Sequence, residues 1–258
     1  HTLSLHDALP IYAMSLPLYT VYQPIVRMTA TPFIYAYESL LRVGPTAEDH
    51  STMSVIAHAE QNGTMPLLDT LIAKRVCADA TNISDMRLWI NLSQCTLSNP
   101  RVAQKIAALI AEHNLTCRIS IEMTETAAGN ESLILESLRL LKSRHVSVVI
   151  DDIDDDHAKS HLLRTDLIAG CKLSRRSTMQ MSRDPQQLEV ANKLVSWCQA
   201  NEKSVVMEGI ENEQELAVAL QLGVDYCQGF YFWEPVPIAE IPTPGSRFIL
   251  PQDMRKPA

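Results

Sequence analysis

Eight short β-branched or apolar runs recur along the chain, and nearly all are separated by segments of helical length. These are Tyr19–Pro24 (YTVYQP), Phe33–Ser39 (FIYAYES), Leu88–Ser93 (LWINLS) and Ile119–Thr124 (ISIEMT), followed by Val146–Asp152 (VSVVIDD), Ile168–Ser174 (IAGCKLS), Ser204–Gly209 (SVVMEG) and Tyr226–Tyr231 (YCQGFY). Apolar residues at Val102, Ile106, Leu109 and Ile110 give helical spacing within Pro100–His113, and Glu131–Lys142 and Gln186–Ala200 read the same way. Met53–Ala80 reads as two helices split at Gly63–Pro66. Strands alternating with helices predict a parallel sheet, and eight repeats predict a closed (β/α)8 TIM-like barrel rather than an open doubly wound sheet. No Gly-rich dinucleotide fingerprint follows the first run, which also disfavours the open alternative. Pro24 and the hairpin-length gap to Phe33 predict that the first strand is antiparallel to the second.

Each run closes in a polar residue: Gln23, Glu38, Asn91, Glu122, Asp151 with Asp152, Lys172, Glu208 and Gln228. In a barrel the C-terminal strand ends share one face, so these side chains are expected to meet at a single mouth. Glu38, Asn91, Glu122, Asp151, Asp152 and Glu208 offer oxygen only, the donor preferred by hard cations such as Mg²⁺ or Mn²⁺. Five carboxylates and an amide exceed what one Mg²⁺ takes from protein, and two metals sharing a bridging Asp would use them fully. Such a pair, about 3.5–4 Å apart, activates water and stabilises both oxygens of a phosphoryl displacement. Lys172 is placed to orient that water or neutralise an equatorial oxygen. Taken singly, Glu38, Glu122 and Glu208 read better as caps or ion-pair partners, Asn91 equally well as the start of a turn, and Lys172 as a snorkelling lysine. Taken together they predict metal-assisted phosphoester hydrolysis.

Length, charge and cysteine content narrow the classes further. The 258 residues, 46% of them apolar, suffice for one large core, and the net charge of −8 with no basic tract argues against binding a nucleic-acid polymer. Six scattered cysteines without a C-x-x-C pair read as free thiols in a reducing cytosol. No apolar run reaches the length of a membrane span. Residues 1–13 lack a basic n-region and a long apolar h-region, and Met14 is the first plausible start. They are read as a non-native leader, with residues 14–245 as one domain and 246–258 as a tail. His157 and His161 have helical metal spacing but no third ligand, and read as an exposed first helical turn.

In order along the chain, these motifs resemble those of the EAL-domain cyclic di-GMP phosphodiesterases. Gln23–Val26 (QPIV) matches the family opening, and Glu38–Arg42 (ESLLR) resembles the signature E-A-L-L-R with Ser39 in place of Ala. Asn91–Ser93 (NLS), Glu122–Glu125 (EMTE), Asp151–Asp152, Lys172–Ser174 (KLS), Glu208–Glu211 (EGIE) and Gln228–Phe230 (QGF) resemble N-x-S, E-x-T-E, D-D, K-I-D, E-G-V-E and Q-G-Y. The resemblance spans about Tyr19 to Pro237. It implies a barrel of EAL type that hydrolyses cyclic di-GMP to linear pGpG with two Mg²⁺ or Mn²⁺ ions, acting as a cytoplasmic homodimer. It further implies that Glu38, Asn91, Glu122 and Asp151 hold one metal, and that Asp151, Asp152 and Glu208 hold the second. Lys172 and Glu208 would position and deprotonate the attacking water. Gln23, Leu40, Arg42, Gln228 and Pro235 would contact the dinucleotide, and Glu125 would anchor the loop after the D-D pair.

That loop departs from the family pattern. Relatives continue D-D-F-G-T-G-Y-S-S-L, whereas this chain reads Ile153–Ser160 (IDDDHAKS), with Asp at both glycine positions. Positions free to take φ > 0 are lost, and three added charges sit beside the expected metals. The alternative reading is therefore a weak or inactive EAL domain that acts as a cyclic di-GMP receptor or protein-binding regulator.

Overall fold

The computed structural model describes residues 18–44, 52–81, 83, 85–124, 129–153 and 160–249. Strands β1 (Leu18–Arg27) and β2 (Phe33–Val43) form an antiparallel hairpin, bulged between Ile25 and Val26. Helices α1 (Thr52–Gln61) and α2 (Met65–Thr81) follow, divided at Gly63, whose φ of 66° suits the turn. Next come β3 (Leu88–Ser93), α3 (Gln94–Leu97), α4 (Pro100–Glu112), β4 (Ile119–Thr124), α5 (Glu131–Ser143) and β5 (Ser147–Ile153). The second half contains α6 (Ser160–Leu163), β6 (Gly170–Leu173), α7 (Arg175–Met181), α8 (Pro185–Ala200), β7 (Ser204–Met207), α9 (Glu213–Leu222), β8 (Tyr226–Cys227) and β9 (Val236–Pro237).

Strands β2 to β8 pair in parallel in chain order, and β1 closes the ring by pairing antiparallel with both β2 and β8. The antiparallel first strand expected from Pro24 and the short hairpin is present. The short β9, not anticipated from sequence, pairs with β1 at Val21↔Pro237 and Tyr22↔Val236. Helix starts carry short polar caps: Asn99, Asn130 and Asn212 accept from the backbone of α4, α5 and α9. Gly223, with φ of 66°, ends α9 in a left-handed turn.

Side-chain alternation along the strands separates two cores. Residues facing the helices form the large outer cluster, including Leu88, Ile90, Leu92, Ile121, Ile150 and Val205. Inside the barrel, Ile25, Ala36, Trp89, Val149 and Val206 pack with Tyr35 and Tyr226. Several lie two positions from the polar strand ends, on the same face (Ala36 from Glu38, Trp89 from Asn91, Val149 from Asp151), so an apolar plug underlies the mouth.

A buried polar box fixes the end of β3. Asp69, on an otherwise apolar face of α2, accepts from the Ser93 backbone N–H (3.0 Å), Ser93 Oγ (2.9 Å) and Thr96 Oγ1 (2.5 Å). Ser93 Oγ in turn caps α3 through Thr96 N–H at 3.1 Å. This network ties α2 to the strand that carries Asn91. Burial raises the Asp69 pKa from 3.8 to about 6, against the pull of the Thr96 and Ser93 hydrogen bonds. As pH rises from 3.8 to about 6, the unfolded chain therefore ionises Asp69 before the folded one does. The stability contribution of Asp69 is present below that window and lost through it, by about 3 kcal/mol at most. Urea denaturation across this range is expected to show wild-type stability falling relative to Asp69→Asn, and parallel curves would contradict it.

Candidate active site

Register brings the predicted residues to one face. Gln23 lies opposite Glu38 across the hairpin, and Asn91 is in register with Glu122. Lys172 sits on β6 beside Val206, and Glu208 and Gln228 each follow the paired ends of β7 and β8 at Met207 and Cys227. The β5 register shifts between Ile150 and Ile153, so Asp151 and Asp152 occupy an irregularity rather than the ladder. Asp152 there adopts φ of 48°, uncommon for a residue with a side chain. Ile153 is buried and in register with Leu173, so the strand runs one residue past the D-D pair. Asp154, Asp155, Asp156 and Glu125 lie outside the described residues.

At the centre is Lys172, fully buried. Its ammonium meets Glu122 Oε2 at 2.8 Å, Glu38 Oε2 at 3.1 Å and Asp151 Oδ1 at 3.7 Å, and it pairs with Glu208 Oε1. It does not snorkel. Burial opposes the charge on Lys172, but Glu122, Glu208, Glu38 and Asp151 outweigh it and hold the pKa well above its ordinary value. One cation faces four carboxylates, so the site has a surplus of negative charge. Burial raises the Glu208 carboxyl to about 8 despite Lys172, and burial together with the Glu38 charge pushes Glu122 well above the usual range. Burial also pushes Glu38 upward, but Lys172 and hydrogen bonds from Asn91 and Gln228 leave its pKa below the ordinary value.

Glu38 is held by several hydrogen bonds. Asn91 Nδ2 donates to its Oε1 at 2.9 Å, and Gln228 Nε2 donates to its Oε2 at 2.7 Å. Gln228 Nε2 also reaches Gln23 Oε1 at 3.1 Å, while Gln23 Nε2 donates to the Trp233 carbonyl at 3.1 Å. The two glutamines thus orient Glu38, a linkage that sequence spacing does not reveal. Leu40 and Arg42 line a cavity of about 580 Å³ that opens beside Glu38 and Asn91, with Met53, Ile56 and Leu68 on its apolar side. Arg42 donates to the Leu41 carbonyl at 2.8 Å. Pro235 is half-buried in the segment between Trp233 and β9. His161 pairs with Glu131 at 3.2 Å, and His157 lies outside the described residues.

The donor set fits a divalent cation. Ligand atoms of Asp151, Asp152 and Glu208 lie within 4.8 Å of one another. Glu122 Oε1 is buried without a hydrogen-bond partner, an acceptor that a cation or its water would satisfy. Asp69, Thr96 and the Trp233 carbonyl escaped sequence reasoning. Only Asp69 left a signal there, as an acid on a helix face that buries Leu68, Ala73 and Val76.

A TIM-like barrel with an oxygen-only acidic mouth is the class that the fold and the site define. The chain belongs to the EAL domain family, whose model matches residues 15–235. It is 26% identical over 228 residues to cyclic di-GMP phosphodiesterase NbdA of Pseudomonas aeruginosa, covering 85% of this chain and 29% of that protein. It is 24% identical over 223 residues to cyclic di-GMP phosphodiesterase PdeR of Escherichia coli, covering 84% of this chain and 33% of that protein. The chain therefore spans about a third of the length of these relatives. Among solved structures it resembles the EAL enzyme Bd1971 in its cAMP- and cyclic di-GMP-bound form, with a TM-score of 0.81 at 23% identity over 91% of this chain and 66% of that one. It also resembles the PaMucR phosphodiesterase complexed with cyclic di-GMP, with a TM-score of 0.75 at 21% identity over 90% and 96% of the two chains.

Removing the buried ammonium leaves its carboxylates facing one another, a change of the kind that costs about 3–5 kcal/mol. Lys172→Met is expected to lower the melting temperature in EDTA, and saturating Mn²⁺ to raise it by more than in the wild type. A Mn²⁺ shift equal to or smaller than that of the wild type would contradict this charge balance.

Proposed function

We propose that this domain hydrolyses cyclic di-GMP to linear pGpG. The observation that carries the reading is Lys172, buried among Glu38, Glu122, Asp151 and Glu208 at the mouth of an EAL barrel. The names of the relatives NbdA and PdeR support the substrate class. In this reading Glu38, Asn91, Glu122 and Asp151 hold one Mg²⁺ or Mn²⁺, and Asp151, Asp152 and Glu208 hold a second. Such cations supply Lewis-acid polarisation of the phosphoryl oxygens and lower the pKa of water.

The chain's own groups do the remaining work. Lys172 is charged and rigidly held, so it orients the attacking water and neutralises charge developing on a phosphoryl oxygen. Glu208, in its ionised form, is assigned to accept the proton of that water. Gln228 and Gln23 fix Glu38 and line the approach of the dinucleotide, with Arg42 assigned to phosphate and Leu40 and Pro235 to the nucleotide faces. The reading includes a homodimer in the bacterial cytoplasm. Among the described residues, no helix is long and apolar enough to cross a membrane.

The second reading, a cyclic di-GMP receptor or protein-binding regulator, is favoured by the acids Asp154, Asp155 and Asp156 where relatives carry a glycine-containing loop. Incubation with cyclic di-GMP and Mn²⁺ separates the two. Linear pGpG is expected, abolished by EDTA and reduced at least about 100-fold by Glu38→Ala, within the range seen when groups acting in the transition state are removed. Nucleotide binding without product above the Glu38→Ala control would assign the receptor role.

A further inference from the structure

The segment that carries Lys172 also holds the carboxylate that Lys172 meets from across the site. β6 ends at Leu173, Ser174 caps α7, and Thr178 lies one turn into that helix, fully buried. A helical threonine ordinarily returns its hydroxyl to a carbonyl three or four residues back in its own helix. Here the Ser174 carbonyl accepts from the Thr178 backbone N–H at 3.0 Å, while Thr178 Oγ1 donates at 2.6 Å to the main-chain carbonyl of Glu208. That carbonyl lies just past the ladder, which ends where Gln228 N–H donates to Met207 O at 3.0 Å. The Thr178 hydroxyl therefore partners a part-buried backbone acceptor just beyond the sheet.

The surrounding contacts hold the 208–211 segment tightly against α7. Glu208 N–H donates to Leu173 O at 3.1 Å, and Ile210 N–H donates to Gln228 O at 3.1 Å. Gly209 has φ of 63°, and a Cβ there would lie 2.3 Å from Arg175 Cγ and 2.9 Å from Arg175 Cα. Arg175 then folds over the segment, with Nη2 2.6 Å from Glu211 Oε1. Arg175 and Glu211 are both substantially exposed, so this pair alone fixes little. The contact from Thr178 comes from a fully buried side chain, and it acts on the residue whose side chain joins Lys172, Asp151 and Asp152.

We propose that Thr178 is a positioning residue for Glu208, its hydroxyl setting where the Glu208 carboxylate stands relative to Lys172 and the Asp151–Asp152 pair. The inference rests on the proposed reading of Glu208 as a catalytic and metal-holding group. Loss of an outer contact of this kind typically lowers activity or metal affinity by about 10–100-fold. Thr178→Val removes the hydroxyl and keeps the branched shape, whereas Thr178→Ser keeps the hydroxyl.

With cyclic di-GMP and Mn²⁺, kcat of Thr178→Val is expected to fall about 10-fold with KM within about twofold, and Thr178→Ser is expected to stay near the wild type. An unchanged kcat, a loss carried entirely by KM, or equal impairment of Thr178→Ser overturns the proposal. Should Thr178→Val fail to fold, Thr178→Ala is read by the same criteria. A wild type without turnover sinks the phosphodiesterase reading but not this one, which Mn²⁺ titration followed by electron paramagnetic resonance then decides. Mn²⁺ affinity weakened about 10-fold in Thr178→Val but not in Thr178→Ser upholds it. Equal affinities, or no Mn²⁺ bound by the wild type, overturn it.

Discussion

The Lys172 ammonium is the interaction on which the mouth of this barrel depends. Four carboxylates approach one buried cation from β2, β4, β5 and the end of β7. In a medium of low polarisability such a cluster persists only if charge is balanced by hydrogen bonds, shared protons or bound cations. Here hydrogen bonds and retained protons share the balance. Glu38 is held ionised by Lys172, Asn91 and Gln228, whereas burial leaves Glu122 and Glu208 inclined to keep protons. Glu122 Oε1 has no protein donor, which leaves it open to a cation.

The fold serves this arrangement in layers. Ile25, Ala36, Trp89, Val149 and Val206 fill the barrel below the mouth, so water cannot reach the carboxylates from beneath. Around them, polar contacts from helices and strands fix the strand ends. Asp69 ties α2 to Ser93, Gln23 ties β1 to the Trp233 carbonyl, and Thr178 ties α7 to Glu208. Each joins an element carrying a site residue to a neighbour distant in sequence. Together these cross-links tie the strand ends to their surroundings.

Much of this was legible in the sequence because barrel geometry is periodic. Apolar runs at regular spacing set the strand count, and a polar residue at each run's end marked the mouth. Motif order from Gln23 to Gln228 then pointed to one family, and the register of Asn91 with Glu122 bears out the convergence. The short helices α3 and α7 and the strand β9 were not legible. They are too brief for a periodic signal, and local caps and tertiary pairing stabilise them instead.

What the sequence alone determined is the donor set: which residue types stand at the strand ends, and that they offer oxygen and one ammonium. Tertiary structure decided how they share charge. Whether Lys172 snorkels or is buried depends on Glu38, Glu122, Asp151 and Glu208 closing around it, and Glu38 and Lys172 are 134 residues apart. The same holds for Gln228 on Glu38, 190 residues away, and for Asp69 beneath Ser93. Composition and spacing are local properties of a chain, whereas desolvation and ion pairing depend on what folding brings within a few ångströms.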